Sequence, residues 1–294
     1  MGGSFASGYV SIVGRPNVGK STFLNRVLET KLSITTPKPQ TTRDRILGIW
    51  NAPDAQVVFL DTPGIHDSEK ALNRYMLDKA VSSIQDADLV LVMTDPSDTM
   101  EHLGEVVGLV AQASKDAILV LNKADLMSEE ACETKLAGLL TLYRFVHACA
   151  VSSTLGTGID ALLGRIKALL PEGPRYFPDD MITDAPVRFL CQEIIREKVF
   201  TLTRREIPYS VAVQIEEFRE ESEPVRISAV IHVERSSQKA IVIGSKGRML
   251  RQIGTEARLE IERLIGCRVF LTLFVRVTRD WSKDVKGLKG VGYR

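Results

Sequence analysis

A glycine-rich segment followed by lysine and serine has the residue types that hold a phosphate chain. Residues 14–21 read Gly-Arg-Pro-Asn-Val-Gly-Lys-Ser and match GxxxxGK[ST], between an apolar run and a helical pattern. Glycines let backbone N–H groups close around phosphate oxygens, and the helix N-terminus adds positive partial charge. We expect Lys20 to reach the β- and γ-phosphates and the Ser21 hydroxyl to ligate Mg²⁺. The predicted phosphate-binding residues are Gly14, Arg15, Pro16, Asn17, Val18, Gly19, Lys20, Ser21 and Thr22.

Two further segments could respond to the γ-phosphate. Asp61-Thr62-Pro63-Gly64 follows the apolar run Val57–Leu60, so that Asp61 can hold Mg²⁺ through water and the Gly64 N–H can bond the γ-phosphate. The polar loop at 36–43, which carries two prolines, can order around the same groups. We select Thr42 as its Mg²⁺ ligand, with Thr41 as the alternative. The predicted metal ligands are therefore Ser21, Thr42 and Asp61.

Asn122-Lys-Ala-Asp125 follows the apolar run at 117–121 and has the residue types that select a base. The Asp125 carboxylate can accept two hydrogen bonds from the N1–H and N2 amine of guanine. Adenine offers no donors there and would leave the carboxylate unpaired. We expect Lys123 to lie across the base and Asn122 to tie neighbouring loops together. The sequence therefore predicts a site for GTP and GDP.

A further loop, Ser152-Ser153-Thr154, ends the next apolar run and is expected to meet the guanine carbonyl through a backbone N–H. In translation-factor-like GTPases this loop usually has Ala after Ser, so Ser153 is a departure from that pattern. A backbone contact survives the change.

The residue after the DxxG pattern predicts slow hydrolysis. Many GTPases place Gln there to orient the attacking water, whereas this chain has Ile65, which can neither hydrogen-bond nor move a proton. We expect hydrolysis to need a partner or a monovalent cation such as K⁺, with Asn17 helping to hold the cation. The catalytic assignments are Lys20, Thr42 and Gly64.

The elements that would position these loops alternate between strand and helix. Apolar runs are present at 9–13, 57–60, 89–94, 117–121 and 146–151. Helical spacing is present at 72–84, 103–113 and 159–169. This order predicts an α/β fold, a P-loop domain with a mostly parallel sheet over residues 1–170. Prolines at 171–186 indicate a linker, and residues 187–294 form a second domain.

The second domain has the pattern of a small α+β module with a GxxG loop. A helix at 187–199 precedes strands at 210–218 and 225–233, the loop Gly244–Gly247, a helix to 264 and a strand at 269–277. We expect the loop to lie between a strand and a helix and to clamp about four single-stranded nucleotides. A basic turn without ligand is the alternative, and the tail 281–294 either contacts RNA or packs. The predicted RNA-binding residues are Ile243, Gly244, Ser245, Lys246, Gly247, Arg248 and Arg251.

The distribution of charge is compatible with a polyanionic partner for the second part, and equally with ordinary variation of the surface. Residues 1–180 carry 17 basic and 22 acidic side chains, whereas residues 181–294 carry 21 basic and 15 acidic ones. None of the four cysteines has CxxC spacing, which favours free thiols over a zinc site. The sequence has no run of about 18 apolar residues, so it predicts no membrane-spanning helix.

Together these motifs resemble the Era family of bacterial GTPases over almost the whole chain. The segments that carry the resemblance are GRPNVGKS at 14–21, QTTRDRI at 40–46, DTPG at 61–64, NKAD at 122–125, EIIREK at 193–198, IPYSVAV at 207–213 and VIGSKG at 242–247. The resemblance implies a type II KH domain that binds near the 3′ end of 16S rRNA, and a role in assembly of the small (30S) ribosomal subunit. It also implies a cytosolic protein with some association with the inner membrane, and we expect a monomer.

Three functions are compatible with these patterns. The first is a GTP-dependent switch that binds and releases RNA or a ribosomal precursor. The second is a GTPase acting in tRNA modification, although enzymes of that kind carry extra helical domains or a C-terminal cysteine. The third is a constitutive RNA-binding protein whose nucleotide site is structural.

Overall fold

The computed structural model describes residues 5–36, 38, 41–65, 70–203 and 207–293. The described residues form two compact units that divide between Asp184 and Ala185, and residues 70–74 group with the second unit. Within these described ranges, no helix is long and apolar enough to cross a membrane.

The first unit contains a six-stranded sheet. Its strands are β1 (Ala6–Val13), β2 (Ile46–Ala52), β3 (Ala55–Asp61), β4 (Leu89–Thr94), β5 (Ala117–Leu121) and β6 (His147–Ala150). Their order in the sheet is β2-β3-β1-β4-β5-β6, with β2 antiparallel to β3 and every other pair parallel. The predicted α/β domain with a mostly parallel sheet is confirmed.

Among the described residues of this unit, five α-helices accompany the sheet. They are α1 (Lys20–Val27), α2 (Ala71–Asp86), α3 (Met100–Gln112), α4 (Glu129–Leu139) and α5 (Ile159–Leu169). All residues of β4 and β5 are buried, which explains why both strands are continuous apolar runs rather than alternating ones. Helix α3 buries Leu103, Val106, Val107 and Val110, a spacing of three and four residues that places them on one face.

Two elements of this unit were absent from the sequence prediction. Strand β2 lies at the sheet edge, and Gly48 interrupts its apolar pattern because a Cβ there would lie 2.7 Å from Leu24 Cδ1. Helix α4 buries only Cys132 and Leu139, so it lacks the apolar stripe that marks a helix in sequence.

Residues 171–184, which we call the strap, are fixed to the β2–β3 edge. Ile49 N–H donates to Ile182 O at 2.8 Å, and the Thr183 hydroxyl donates to Leu47 O at 2.6 Å. Phe177 and Met181 pack on the apolar patch formed by Leu47, Ile49, Val58 and Leu60. Most of the segment predicted as a linker is therefore bonded to the first unit.

Gln56, a buried residue of β3, holds the strap through its amide group. Its Oε1 accepts hydrogen bonds from Tyr176 N at 2.7 Å and Phe177 N at 3.0 Å. Its Nε2 donates to Phe177 O at 2.9 Å and to Asn51 Oδ1 at 2.8 Å. One side chain thus satisfies three backbone groups of the strap.

The second unit is a three-stranded sheet with helices. Its elements are α6 (Val187–Leu202), β7 (Val211–Arg219), β8 (Val225–Val233), α7 (Ser236–Ile243), α8 (Arg248–Ile265), β9 (Val269–Val277) and α9 (Val285–Gly290). The order is β7-β8-β9, with β7 antiparallel and β9 parallel to β8. Helices α6 and α8 share one core with the sheet, and Lys198 of α6 pairs with Glu260 of α8. The predicted α+β module is confirmed.

The predicted placement of the GxxG loop was wrong in one respect. Residues 236–243 form helix α7 instead of a strand, so the loop joins two helices and the order is α-β-β-α-α-β. Gln238 Oε1 accepts the Glu234 and Arg235 N–H groups, both at 2.9 Å, and so caps the start of α7. A short apolar run such as 240–243 does not by itself distinguish a strand from a helix.

The tail packs on its own unit. Trp281 is buried and stacks on Tyr293 with ring centroids 5.8 Å apart, and its Nε1 donates to Ser210 O at 3.2 Å. Both rings are therefore part of the packing, which favours the alternative of a packed terminus. Arg294 lies outside the described residues.

We predict that Gln56→Met weakens the attachment of the strap. Methionine has a similar volume but leaves the Tyr176 and Phe177 backbone groups without the amide, so we expect a loss of about 1–3 kcal/mol in the free energy of unfolding. Urea unfolding measures this loss, and hydrogen exchange at Tyr176 and Phe177 locates it. Gln112→Met, at an exposed position that ends α3, is the control. Equal urea midpoints for the two variants would contradict the prediction.

Candidate nucleotide-binding site

The carboxyl ends of the parallel strands carry the predicted motifs to one edge of the first sheet. A cavity of about 680 Å³ is present there. Of the predicted site residues, the cavity wall includes Pro16, Asn17, Gly19, Lys20, Ser21, Thr22, Thr42, Gly64, Lys123 and Thr154. Ligands of open α/β sheets bind at this edge, and the structure brings these separated segments together there.

The phosphate loop ends at Gly19, directly before α1. Gly19 has a φ of 101°, and a Cβ there would lie 2.1 Å from Asn122 Nδ2, so only glycine fits. The Lys20 ammonium is buried and donates to Gly14 O at 3.0 Å and Arg15 O at 2.9 Å. Burial lowers the pKa of Lys20 to about 8, because a charged ammonium is poorly solvated there. A bound phosphate would stabilise that charge.

Three oxygens form a cluster beside Lys20. Ser21 Oγ lies 2.8 Å from Asp61 Oδ2 and 2.9 Å from Thr42 Oγ1. Burial raises the pKa of Asp61, while the Lys20 charge and the neighbouring hydroxyls act in the opposite direction. Among the described residues, the buried Asp61 Oδ1 has no hydrogen-bond partner. A carboxylate oxygen in that position beside two hydroxyls fits Mg²⁺, which prefers oxygen ligands and retains several waters.

The structure favours Thr42 over Thr41 as the metal ligand. The Thr41 hydroxyl donates to Lys38 O at 2.7 Å, whereas the Thr42 hydroxyl contacts Ser21. Thr42 is also buried, as a ligand to an enclosed ion would be.

Gly64 lies against the phosphate loop, and the next residue turns away from the cavity. A Cβ on Gly64 would lie 2.6 Å from Pro16 N, so a larger residue would separate the two loops. Ile65 N–H donates to Gly14 O at 3.1 Å, while its side chain is buried with Ala80 and Ile84. This side chain is therefore part of the core, in agreement with its inability to orient water.

Asn122 joins the phosphate loop to the loop at 152–154. Its Nδ2 donates to Val18 O at 2.8 Å. Its Oδ1 accepts from Ser153 N at 3.0 Å and from Ser153 Oγ at 2.8 Å. The serine that replaces the usual alanine thus adds a hydrogen bond within the site.

Some predicted residues brace the site rather than line the cavity. The buried Thr62 hydroxyl donates to Ile12 O at 2.7 Å, and Arg15 Nη1 contacts Asp98 Oδ1 at 3.3 Å and His102 Nδ1 at 2.7 Å. Because a guanidinium group can only donate, His102 Nδ1 is the acceptor in that contact. Asp125 is exposed in the short turn Ala124–Leu126 that follows Lys123.

Sequence reasoning missed several residues that hold the loops. Arg26 of α1 donates through Nε to Ser153 O at 3.2 Å and also contacts Thr154 O. Asp95 pairs with Lys123, and Asp98 contacts Arg15. For Asp95, the available signal was an acidic residue directly after a buried strand; no motif marks Arg26.

In the second unit, the GxxG loop and the first turn of α8 present basic side chains to solvent. Lys246, Arg248 and Arg251 are exposed, and Lys246 has a left-handed backbone with a φ of 51°. Ile243 is half-buried, whereas Ile253 is fully buried in the core, so it supports the surface from below.

The fold and the two sites define a P-loop GTPase domain followed by a KH domain. Residues 9–123 match the family described as "50S ribosome-binding GTPase", and residues 206–282 match the KH domain family. The chain belongs to the Era family of GTPases, as its similarity to full-length relatives shows.

These relatives match over nearly their whole length. GTPase Era of Geotalea daltonii is 51% identical, with 98% of each chain covered. GTPase Era of Lacticaseibacillus paracasei is 43% identical over 98% of this chain and 96% of that protein.

Two solved structures are similar to the whole chain. A crystal structure of Era in complex with MgGDPNP and nucleotides 1506–1542 of 16S ribosomal RNA has a TM-score of 0.94 and 39% identity, covering 98% of this chain and 99% of that one. A crystal structure of Aquifex aeolicus Era bound to GDP·AlF₄⁻ has a TM-score of 0.94 and 38% identity, with the same coverage.

We predict that Asn122→Ala lowers affinity for GTP and GDP by roughly 10- to 100-fold. The substitution removes the amide that joins Val18 to Ser153 and leaves their backbone groups unpaired, at about 1–3 kcal/mol. Titration with a fluorescent GDP analogue measures the effect.

Ser153→Ala is the matched variant for this prediction. It removes the hydroxyl contact but keeps the Ser153 backbone N–H bond to Asn122, so we expect a change of less than about threefold. The prediction is contradicted if both variants lose affinity equally.

Proposed function

We propose that this GTPase is a switch whose nucleotide state controls RNA binding by its KH domain, at the 3′ end of 16S rRNA during small ribosomal subunit assembly. The observation that carries the proposal is the match over 98% of this chain to an Era structure with MgGDPNP and 16S rRNA nucleotides. The GTPase family that residues 9–123 match has the description "50S ribosome-binding GTPase", which names the large ribosomal subunit. We favour the small subunit because the 16S complex matches both domains.

The described geometry supports specific roles in the nucleotide site. Lys20 would hold the β- and γ-phosphates, and the Gly64 N–H would contact the γ-phosphate. Ser21, Thr42 and Asp61 would hold Mg²⁺, which neutralises developing charge on the phosphate oxygens when bound. At the base, Asp125 would pair with the guanine edge, Lys123 would cover one face, and a backbone N–H of the 152–154 loop would meet the carbonyl. We favour Thr154 N–H, because Ser153 N–H already donates to Asn122.

We also propose that K⁺ assists hydrolysis, with Asn17 contributing to its site. Asn17 is exposed on the cavity wall with a left-handed φ of 68°, whereas the Ile65 side chain is buried in the core. A cation there would compensate charge that no side chain at position 65 can stabilise.

We predict that replacing K⁺ by Na⁺ at constant ionic strength lowers kcat by roughly tenfold, equivalent to about 1.4 kcal/mol of barrier. Asn17→Ala should remove the difference between the two cations without abolishing GDP binding. Phosphate release at saturating GTP measures both effects. Equal rates in K⁺ and Na⁺ for the unchanged protein would eliminate this part of the proposal.

The exposed basic side chains of the GxxG loop and of the start of α8 allow a direct test of the RNA-binding proposal. A phosphate-contacting lysine or arginine contributes about 0.7 to the slope of log affinity against log salt for single-stranded RNA. We predict that Lys246→Gln and Arg251→Gln each weaken binding to an RNA with the sequence of nucleotides 1506–1542 and reduce that slope by about 0.7. Arg165→Gln, at an exposed position of α5 in the first unit, is the control and should leave both unchanged.

Gating is tested in the same assay with GDP and with a non-hydrolysable GTP analogue. A switch requires different RNA affinities in the two states. Equal affinities would instead favour constitutive RNA binding. Crosslinking to cellular RNA distinguishes the remaining alternative, since a GTPase acting in tRNA modification would contact tRNA.

The proposal includes a monomeric protein in the cytoplasm with peripheral association at the inner membrane. Family resemblance supports this assignment. Light scattering at micromolar concentration and fractionation of cell extracts test the two points.

A further inference from the structure

The segment after β4 contacts both halves of the nucleotide site. Strands β4 and β5 are parallel neighbours, with Thr94 paired to Leu121, and Asn122 N–H donates to Thr94 O at 2.8 Å. Asp95, directly after β4, and Lys123, two residues after β5, therefore lie close together at the same edge of the sheet. Lys123 has a left-handed φ of 58°, a conformation uncommon for a residue with a side chain.

Asp95 holds the Lys123 ammonium group. Lys123 Nζ lies 2.5 Å from Asp95 Oδ2, and the Asp95 side chain is only 8% exposed. The other oxygen, Oδ1, accepts from Ser97 N at 2.9 Å and from Ser97 Oγ at 2.6 Å. Burial alone would raise the pKa of Asp95, but these hydrogen bonds and the Lys123 charge lower it. Both oxygens of a negatively charged carboxylate are thus fixed.

The turn that carries Asp95 is itself held from two sides. Lys135 of α4 donates to Pro96 O at 2.8 Å and Asp98 O at 2.7 Å. The Thr94 hydroxyl donates to Asp98 Oδ2 at 3.0 Å, and Asp98 Oδ1 contacts Arg15 of the phosphate loop. Asp95 therefore has a fixed position relative to the cavity wall.

We propose that Asp95 is a positioning residue for guanine recognition, because it holds the Lys123 ammonium so that the aliphatic stem forms a preorganised surface for the base. Lys123 lines the cavity, and a pinned ammonium restricts the rotamers of an otherwise flexible side chain. Restricting a group before binding improves affinity because less freedom is lost in the complex. The inference rests on guanine-nucleotide binding by this family.

Asp95→Asn tests the proposal, since it removes the charge while an amide oxygen can still accept from Ser97. We expect Kd for GDP and KM for GTP to rise roughly 5- to 20-fold, with kcat unchanged, because the base is bound equally in the ground and transition states. Competition by inorganic triphosphate, which has no base, should be unaffected. Asp54→Asn, which removes a carboxylate paired with Lys167 on the surface, is the control and should change nothing.

A double-mutant cycle separates positioning from a general structural role. Lys123→Met keeps an aliphatic side chain without the ammonium, so Asp95→Asn should have no further effect in that background if Asp95 acts through Lys123. An equal loss of GDP affinity in both backgrounds would overturn the proposal, as would weaker triphosphate binding or unchanged GDP affinity in Asp95→Asn. The protein without substitutions is measured in the same assay. If it binds GDP, guanine-nucleotide binding holds whatever the variants show, and only the role of Asp95 is in question.

Discussion

The nucleotide site depends on a positive charge held where water is scarce. Lys20 is buried, and burial lowers its pKa to about 8, so the protein bears part of the cost of desolvating an ammonium group. The carbonyl groups of Gly14 and Arg15 orient this ammonium but carry no net charge. A phosphate chain would provide the opposite charge, and the same low-dielectric surroundings would strengthen that attraction. The buried Asp61 carboxylate has the complementary need for a cation, which explains why Mg²⁺ and nucleotide suit the site together.

Holding this charge in place requires loops from different strands to keep fixed distances. The structure does so with short polar contacts between loops. Asn122 joins the phosphate loop to Ser153, and Arg26 of α1 also bonds to Ser153. Asp95 holds the Lys123 ammonium group. Each of these side chains bonds to a backbone group or a charged partner in another segment. The segments predicted to bind the base and the phosphates are consequently joined in one network of contacts.

Much of this arrangement could be predicted from sequence because the chemistry imposes local patterns. Phosphate binding needs glycines and a lysine at fixed spacing, so the sequence predicts the phosphate loop at 14–21. Buried parallel strands are continuous apolar runs, so the sequence also predicts β4 and β5. Elements that depend on distant partners could not be predicted. Helix α4 has little apolar periodicity, and only the last four residues of α7 form an apolar run. The strap is attached through backbone groups, the Thr183 hydroxyl, the glutamine in β3 and the packing of two apolar side chains, none of which forms a local pattern.

Residues that hold the site together, such as Arg26 and Asp95, could not be predicted from sequence for the same reason. Their side chains are ordinary surface types in sequence, and their partners lie 127 and 28 residues away along the chain. A spacing of that kind carries no motif, so only the folded arrangement reveals the pair. The phosphate and base motifs predict which groups would contact the ligand, whereas the residues that hold those groups in place are visible only in the folded structure.

A nucleotide-controlled switch also requires an element whose position depends on the γ-phosphate and which continues toward the RNA-binding module. In this chain the segments that would contact the γ-phosphate adjoin the two strands that hold the strap. Thr42 precedes β2 by a few residues, and Asp61 ends β3. Leu47 and Ile49 of β2 and Gln56 of β3 bond to the strap. The strap ends at Asp184, and helix α6 begins at Val187. A shift of β2 or β3 on loss of the γ-phosphate would therefore strain hydrogen bonds of the strap, the segment that directly precedes α6 in the chain.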